Sequence, residues 1–447
     1  MKLIGLDIGT TTICGLVMDA GTGEILSVVT RPNTSRLPGR APWEALQDPA
    51  VILEAVQAIL GEFLDHHEHV GGIGVAGQMH GVLYVDRTGR ARSPLYTWQD
   101  GRGDLPGADG SSTASRLSDA LGRRVSTGMG IVTHSYNAAQ GLVPRDAALL
   151  CTISDYVAMT VGRCTVPRMD ASNAESLGGF DAVRRDFRRS EMEKFGIDPG
   201  LFPGVTDSFP ALGEARPGVP VFAAAGDNQA SFLGSVRDVL STVLFNIGTG
   251  SQVSVRVDSP DDVPGLDIRP LPFGGYLAAG SALCGGRAYA LLRGFFERTL
   301  RLLTGRQAEV SWETMNAVAG PALSVDTRFN GTRENPLLLG SITGIGQDNF
   351  TPEHLIVGVR EGIAAELLGF YERVPSARRA HVSSMAGSGN GIRLNPALRK
   401  VFEERLGMQM QVPAHSEETS FGAALIAGVA SGVLPGREAA GQLVRYV

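Results

Sequence analysis

The sequence predicts an α/β protein built from two domains, each with a mixed β-sheet flanked by helices. Its 447 residues exceed the usual size of a single domain. Apolar stretches with the period of strands alternate with stretches of helical period in both halves. In addition, the Ile-Gly-Thr sequence at residues 8–10 recurs at residues 247–249, each time between two apolar strands. This repetition indicates that one supersecondary unit is used once in each half.

The first half begins with a predicted β-hairpin, in which apolar residues 3–8 and 13–19 flank a Gly/Thr turn. A helix is predicted to start at Asp48 and Pro49, because Asp is a favoured N-cap and Pro is favoured in the first turn. Residues 72–81 then form a Gly-rich strand and the turn that follows it.

An apolar strand at residues 219–225 leads into the second half. A second hairpin is predicted over residues 244–257, and a long amphipathic helix over residues 351–374. The pattern then predicts the segments that close the chain: a strand at 381–385, a turn at 386–391 and helices at 396–406 and 420–432.

The composition excludes several classes of protein. The formal charge is −6, with 40 Lys and Arg against 46 Asp and Glu, so the chain lacks the basic surplus that binds nucleic acid. The 4 cysteines form no CxxC or CxxH pair, which argues against a structural zinc site and a disulfide framework. The longest apolar stretch, residues 421–434, is too short to span a bilayer. We therefore expect a soluble cytoplasmic protein that binds neither membranes nor nucleic acid.

Two Gly/Thr turns are candidates for phosphate binding, because glycine lets backbone N–H groups approach an anion and threonine adds neutral donors. They contain Thr10 and Thr11 in the first half and Gly248 and Thr249 in the second. Asp7, beside the first turn, offers the hard oxygen ligand that Mg²⁺ on a nucleotide prefers. A pair of ordinary hairpin turns is the alternative, but their repetition favours phosphate.

Three further positions are candidates for chemistry. Asp227 ends a buried strand, where a carboxylate can act as general base toward a hydroxyl or cap the following helix. The segment from Trp98 to Arg102 has the mixture of aromatic and polar groups that lines a sugar pocket, although a surface turn around a buried Trp fits it too. His80 follows a Gly-rich strand, and a lone histidine of this kind is more often structural than ligand-binding.

Together these motifs resemble those of the FGGY carbohydrate kinases over nearly the whole chain. The similar segments, in the family's order, are residues 7–11, 77–81, 226–230, 246–251, 387–390 and 421–424. The resemblance implies two actin-like (ribonuclease H-like) domains with mixed sheets flanked by helices, which enclose ATP and a sugar in the cleft between them. We expect residues 1–235 to hold the sugar and the catalytic base, and residues 236–447 to hold ATP.

The resemblance also implies roles for individual residues. Asp227 is implied as the catalytic base, and Asp7 as the residue that handles Mg²⁺. The implied sugar-binding residues are Gln78, Met79, His80, Trp98, Asp100, Arg102 and Asn228. The implied ATP-binding residues are Thr10, Thr11, Gly248 and Thr249 at the phosphates, and Gly387, Ser388, Gly389 and Asn390 at the adenosine.

The implied reaction is transfer of the γ-phosphoryl group of ATP to a ketose, with Mg²⁺ as cofactor. Residues 78–81 read Gln-Met-His-Gly, as in the kinases of xylulose and sedoheptulose, and Gln99 favours sedoheptulose because xylulokinases usually have Asn there. The expected substrate is therefore sedoheptulose, phosphorylated at its terminal primary hydroxyl, with xylulose as the alternative. The oligomeric state is left open, a homodimer being one option.

One position departs from the family's pattern. Seven residues beyond Asp7, where the family usually has Lys or Arg, this chain has Cys14. A phosphate-facing cation is thus missing, so that either another basic residue or extra Mg²⁺ replaces it, or turnover is slow. The departure leaves open an alternative of another class, an actin-like ATP switch without a sugar substrate. The sugar-binding motifs at residues 78–80 and 98–102 argue against such a switch.

Overall fold

The computed structural model of the chain describes residues 1–261, 263–332, 335 and 337–447. Its contacts divide it into two compact units. The first unit contains Met1–Arg237, Arg269–Tyr276 and Glu417–Val444, and the second contains Asp238–Ile268, Leu277–Ser416 and Arg445–Val447. The main stretch of the first unit ends close to the predicted boundary at residue 235. Two segments from later in the chain also belong to this unit.

The strands and helices follow one another along both halves, as the sequence predicts. The strands of the two main sheets are β1 (Lys2–Ile8), β2 (Thr12–Asp19), β3 (Ile25–Pro32), β4 (Val70–Gly77), β5 (Ala211–Arg216), β6 (Val219–Phe222), β7 (Ala225–Gly226), β8 (Thr242–Ile247), β9 (Ser251–Val257), β10 (Asp267–Pro270), β11 (Tyr276–Ala282), β12 (Ser384–Ser388) and β13 (Met410–Gln411). The principal helices are α1 (Pro49–His66), α2 (Asp227–Ser235), α3 (Gly285–Thr304), α4 (Pro352–Arg373), α5 (Pro396–Leu406) and α6 (Glu418–Ala430).

Shorter elements lie between these. The shorter helices are Thr113–Leu121, Gly130–Ala139, Ile153–Val161, Ala171–Ser176, Arg189–Lys194, Trp312–Ala317, Ser376–Arg379, Asn390–Arg393 and Arg437–Gly441, and the two 3₁₀ turns are Arg102–Asp104 and Pro199–Leu201. The short strands pair as Leu46–Gln47 with Leu95–Tyr96, Leu83–Val85 with Leu149–Cys151, Met169–Asp170 with Val205–Thr206, Phe180–Asp181 with Asp186–Phe187, and Ser324–Asp326 with Ser341–Thr343.

The first sheet has the order β5-β6-β4-β1-β2-β3, with β7 beside β4. β1 and β2 form the predicted hairpin, in which Asp7 lies opposite Cys14, and β1 runs parallel to β4. Helix α6 packs against β1 and β4, and α1 packs against β2. Every residue of β4 is buried, as expected for a parallel strand inside an α/β sheet.

Helices α1, α4 and α5 begin within about one residue of their predicted starts and α6 within about two, whereas the sequence pattern did not predict α3. In α1, the Asp48 side chain caps the helix by accepting a hydrogen bond from the Ala50 N–H, and Pro49 occupies the first turn. Thr351 caps α4 in the same way. The apolar stretch at residues 421–434 contains most of α6, and this helix is largely buried. Among the described residues, no helix has the length and apolar character needed to cross a membrane.

The second sheet has the order β10-β11-β9-β8-β12-β13 and repeats the plan of the first. β8 and β9 form a hairpin in which Asn246 lies opposite Gln252, and β8 runs parallel to β12. The predicted duplication of the hairpin is therefore confirmed.

The strand expected at residues 381–385 lies instead at Ser384–Ser388, so that prediction was wrong at both ends. Gly387 pairs with Phe245 of β8, and this tertiary pairing overrides its local preference for a turn.

Candidate active site

Three parallel strands of the first sheet end side by side. Ile8 at the end of β1 pairs with Gly77 of β4, and Gly77 pairs with Gly226 of β7. The residues that follow these strands are therefore neighbours: the turn at residues 9–11, the segment 78–80, and Asp227. This edge of the sheet brings together the predicted base, the predicted metal residue and part of the predicted sugar site.

Asp7 lies in β1 one residue before this edge. It is partly buried, and its Oδ1 atom is enclosed without a hydrogen-bond partner among the described residues. Burial raises the pKa of Asp7 well above its ordinary value, and the negative charges of Asp227 and Glu417 raise it further. A hydrated Mg²⁺ would supply a partner and offset this charge, so the residues present fit the ion. In the part of the chain that the structure describes, no group of three or more His, Cys, Asp or Glu is arranged to hold a metal.

Asp227 is the first residue of α2 and not its cap. The N-cap is Gly226, and Asp227 Oδ1 accepts a hydrogen bond from the Asn228 N–H at 2.7 Å, so the capping interpretation is wrong. Burial raises the pKa of Asp227 to about 6, although that hydrogen bond and the charge of Arg269 act to lower it. A carboxylate with this pKa is ionised at neutral pH and is basic enough to accept a proton.

Trp98 links the predicted sugar site to the first hairpin turn. Its Nε1 donates to Thr10 Oγ1 at 3.0 Å, and Thr10 Oγ1 donates to Gln78 Oε1 at 3.2 Å. Gln47, which no sequence motif marks, accepts from Gln78 Nε2 at 2.8 Å and donates to the Thr10 carbonyl at 2.9 Å. Trp98 is 46% exposed and not buried as the surface-turn alternative requires. Its ring is therefore accessible for a sugar to pack on.

His80 occupies the turn after β4 with a φ of 73°. Its Nδ1 lies 2.7 Å from the Ser176 carbonyl oxygen, and because a carbonyl only accepts, Nδ1 carries the proton. The His80 N–H also donates to Ser176 Oγ at 3.1 Å, so Ser176 fixes both the backbone and the ring. Met79 is buried, with its sulfur packed against Gly226. Met79 therefore supports the backbone just before Asp227.

Asp100 and Arg102 lie inside the protein, with exposed fractions of 0% and 2%. Arg102 Nε donates to Asp100 Oδ1 at 2.6 Å, and Arg102 Nη1 donates to Asn137 Oδ1 at 2.6 Å. The guanidinium also stacks over Tyr96, 4.2 Å from the ring centroid. That Asp100 and Arg102 bind the sugar stays a prediction. Because both side chains are buried, the geometry favours an indirect contribution, in which the pair holds the loop that carries Trp98 in place.

In the second unit, the turn after β8 borders a cavity of about 530 Å³. Gly248, Thr249 and Asn390 line it. Tyr289 and Trp312 also line it and stack on each other, with ring centroids 5.7 Å apart and ring planes 20° apart. The volume suits a ligand of nucleoside size, and an aromatic wall suits a purine base. No sequence motif marks these two aromatic residues, because they come from separate helices.

The four residues predicted at the adenosine have different surroundings. Gly387 and Ser388 end β12 and are buried, and Asn246 Nδ2 donates to Ser388 Oγ at 2.8 Å. Gly389 has a φ of 80°, which favours glycine, and Asn390 begins the short helix beside the cavity. The first three residues thus shape the loop, and Asn390 faces the space that a nucleoside would fill.

Cys14 lies opposite Asp7 in the first hairpin. Its Sγ lies 3.3 Å from Glu417 Oε2, and burial raises the pKa of the thiol to about 11. The thiol is therefore uncharged at neutral pH. The carboxylates of Asp7 and Glu417 gain no compensating charge from this position.

Known proteins include relatives similar in sequence to this chain and solved structures that have the same two-domain fold. The chain is 26% identical over 473 residues to the sedoheptulokinase of Mus musculus, covering 95% of this chain and 96% of the relative. The structure of xylulose kinase from Rhodospirillum rubrum matches with a TM-score of 0.85 at 23% identity, covering 100% of this chain and 93% of that one. Plasmodium falciparum glycerol kinase with ADP matches with a TM-score of 0.81 at 15% identity, covering 100% and 93%. The predicted two-domain α/β fold is confirmed.

Family models account for most of the chain. The N-terminal domain model of the FGGY family of carbohydrate kinases matches residues 2–234, and the C-terminal domain model matches residues 243–431. The protein is thus a sugar kinase, an enzyme that uses ATP and acts on a small-molecule sugar, as the resemblance implied. The chain belongs to the FGGY family of carbohydrate kinases.

Proposed function

We propose that this enzyme transfers the γ-phosphoryl group of ATP to the terminal primary hydroxyl of sedoheptulose, giving sedoheptulose 7-phosphate. The observation that carries the proposal is Asp227, a carboxylate with a pKa of about 6 at the strand edge that also holds Asp7 and residues 78–80. The substrate rests on Gln99 and on the mouse sedoheptulokinase, which aligns with nearly the full chain. We expect the enzyme to act in the cytoplasm.

In this proposal Asp227 accepts the hydroxyl proton as the sugar oxygen bonds to the γ-phosphorus and ADP leaves. Asp7 would hold Mg²⁺ through water, and the bound ion would offset negative charge on the transferring phosphoryl group. The turns with Thr10, Thr11, Gly248 and Thr249 would donate to phosphate oxygens. The Trp98 ring and His80 would orient the sugar, since both are held in place by hydrogen bonds to neighbouring residues.

Activity should fall at acid pH because the base must be ionised. The raised pKa of Asp227 places this loss near pH 6, and kcat/KM for the ketose should decrease about tenfold per pH unit below it. Coupled assays between pH 5 and 8 measure the profile, with circular dichroism to verify that the enzyme stays folded. A flat profile down to pH 5 in folded enzyme would show that Asp227 is not the base.

Replacing Trp98 by Ala should raise KM for the ketose about 10-fold, because the sugar loses an aromatic surface and Thr10 loses a donor. KM for ATP should change little. Trp312→Ala is the matched control, since that ring lines the cavity of the second unit and should affect KM for ATP instead. If Trp98→Ala raised KM for ATP as much as KM for the ketose, the proposal that the sugar packs on Trp98 would be contradicted.

The substrate is tested by comparing kcat/KM for sedoheptulose and xylulose at saturating Mg-ATP, with ³¹P NMR to locate the phosphate. Buried polar groups that match the longer sugar would be left unpaired by the shorter one, so we expect at least about a 10-fold preference for sedoheptulose. A preference for xylulose would contradict the proposal that sedoheptulose is the substrate, but it would leave the proposed mechanism unchanged.

A further inference from the structure

The cavity of the second unit has a single charged residue in its wall. Among the described residues that line this cavity, Arg287 is the one that carries a charge. The other lining residues are neutral, and they combine polar groups with apolar and aromatic side chains. A cavity of this composition suits a ligand that joins an anionic group to an apolar ring.

Arg287 lies in the first turn of α3, directly beside the Gly/Thr turn that follows β8. The Arg287 N–H donates to the Thr249 carbonyl at 3.1 Å, and the Gly286 N–H donates to the Gly248 carbonyl at 2.9 Å. The two segments approach so closely that a Cβ on Gly286 would lie 2.5 Å from the Gly248 carbonyl oxygen. The backbone of Arg287 is therefore fixed against the turn for which phosphate binding is predicted.

The side chain of Arg287 is available to a ligand. Arg287 is exposed, and its guanidinium makes no ion pair or hydrogen bond within the part of the chain that the structure describes. Arg293, in the same helix, is different, because its guanidinium pairs with Glu297 at 2.9 Å and with Glu309 at 2.7 Å. A guanidinium that lines a cavity without a carboxylate partner keeps its donors and its charge for a bound anion.

We propose that Arg287 binds the phosphate groups of the nucleotide in this cavity. The inference rests on the proposed function, and specifically on the placement of ATP beside Gly248 and Thr249. The planar guanidinium matches the oxygens of a phosphate, so Arg287 would donate to them together with the turn. The stacked rings of Tyr289 and Trp312 would provide the surface for the base. Arg287 lies outside the segments by which the chain resembles its family, so no sequence motif marks this role.

The test is calorimetric titration of the enzyme with ADP and with adenosine, which requires neither ketose nor turnover. Arg287→Met should weaken ADP binding about 10-fold or more, because a charge-assisted contact to phosphate is lost. Adenosine has no phosphate, so its dissociation constant should stay within about twofold. Arg287→Lys should lose less affinity for ADP than Arg287→Met, because it keeps the charge. Arg301→Met is the matched control: Arg301 is an exposed arginine in the last turn of the same helix and does not line the cavity.

The dependence of binding on salt gives a second measurement. The affinity of the wild type for ADP should fall more steeply with ionic strength than that of Arg287→Met, since salt screens an exposed charge. Equal ADP affinities of wild type and Arg287→Met in folded protein would overturn the proposal. An equal loss of affinity for ADP and adenosine would also overturn it, because the guanidinium would then contact the nucleoside. If Arg287→Met does not fold, Arg287→Gln is decided in the same way.

This inference and the proposed function can fail separately. A wild-type enzyme without ketose-dependent turnover, whose affinity for ADP still falls in Arg287→Met, would overturn the proposed function and support the role of Arg287. A wild-type enzyme that phosphorylates the ketose, and whose affinity for ADP is unchanged in Arg287→Met, would overturn the role of Arg287 alone.

Discussion

Asp227→Ala is expected to reduce ketose phosphorylation by about 10³- to 10⁴-fold while ATP still binds with a dissociation constant within about threefold of wild type. The carboxylate is the proposed acceptor of the hydroxyl proton, and general bases contribute rate factors of this order. The cavity with Thr249 and Asn390 belongs to the second unit, so a substitution at residue 227 leaves it intact. Coupled assays and calorimetric titration with ATP measure the two quantities.

Asp227→Asn is the control that separates charge from shape. The amide is nearly isosteric and can still accept a hydrogen bond from the Asn228 N–H at the start of α2. We therefore expect a folded protein with the same loss of rate as Asp227→Ala. Substantial kinase activity in Asp227→Asn would mean that another group accepts the proton.

Gly422→Val is expected to lower the free energy of unfolding by about 3 kcal/mol or more, because a backbone contact leaves no room for a side chain. Gly422 lies in α6 where the helix meets α2, and a Cβ there would overlap the Ala230 carbonyl. Gly234 of α2 meets the Glu418 carbonyl in the same close manner. Since α2 begins with Asp227, separating the two helices should also abolish activity.

The matched control is Gly61→Ala in α1 of the same unit. A Cβ at Gly61 meets nothing within 4 Å, so the substitution should stabilise the helix by about 0.5–1 kcal/mol. Denaturant unfolding followed by circular dichroism measures both variants. Equal midpoints for wild type and Gly422→Val would contradict the close contact between α2 and α6.

The sequence predicted those parts of the fold that local chemistry determines. The Gly/Thr turns of the two hairpins, the Asp48 cap of α1 and the start of α4 beside Thr351 all depend on residues within a few positions of one another. The strand at Ser384–Ser388 was misplaced because its limits are set by pairing with β8, a partner more than a hundred residues away.

The site was predictable where it follows the ends of strands. Asp227, residues 78–80 and the first turn lie at one edge because their strands pair, and each carries a recognisable motif. The environment of a side chain was not predictable. The burial of Asp100 and Arg102 depends on Asn137, and the position of Arg269 depends on a segment that joins the first unit from far along the chain. Asn137 and the segment that carries Arg269 both lie far along the sequence from the residues they contact, so no local sequence pattern reveals these contacts.

The central claim is that this chain couples ATP use to phosphorylation of a ketose. The most direct measurement is ADP release from Mg-ATP with and without a panel of sedoheptulose, xylulose, ribulose, fructose and glycerol. We expect release to depend on added sugar, to be fastest with sedoheptulose, and to match phosphorylated sugar one to one. ADP release that proceeds at the same rate without any sugar would contradict the claim and favour an ATP-hydrolysing switch.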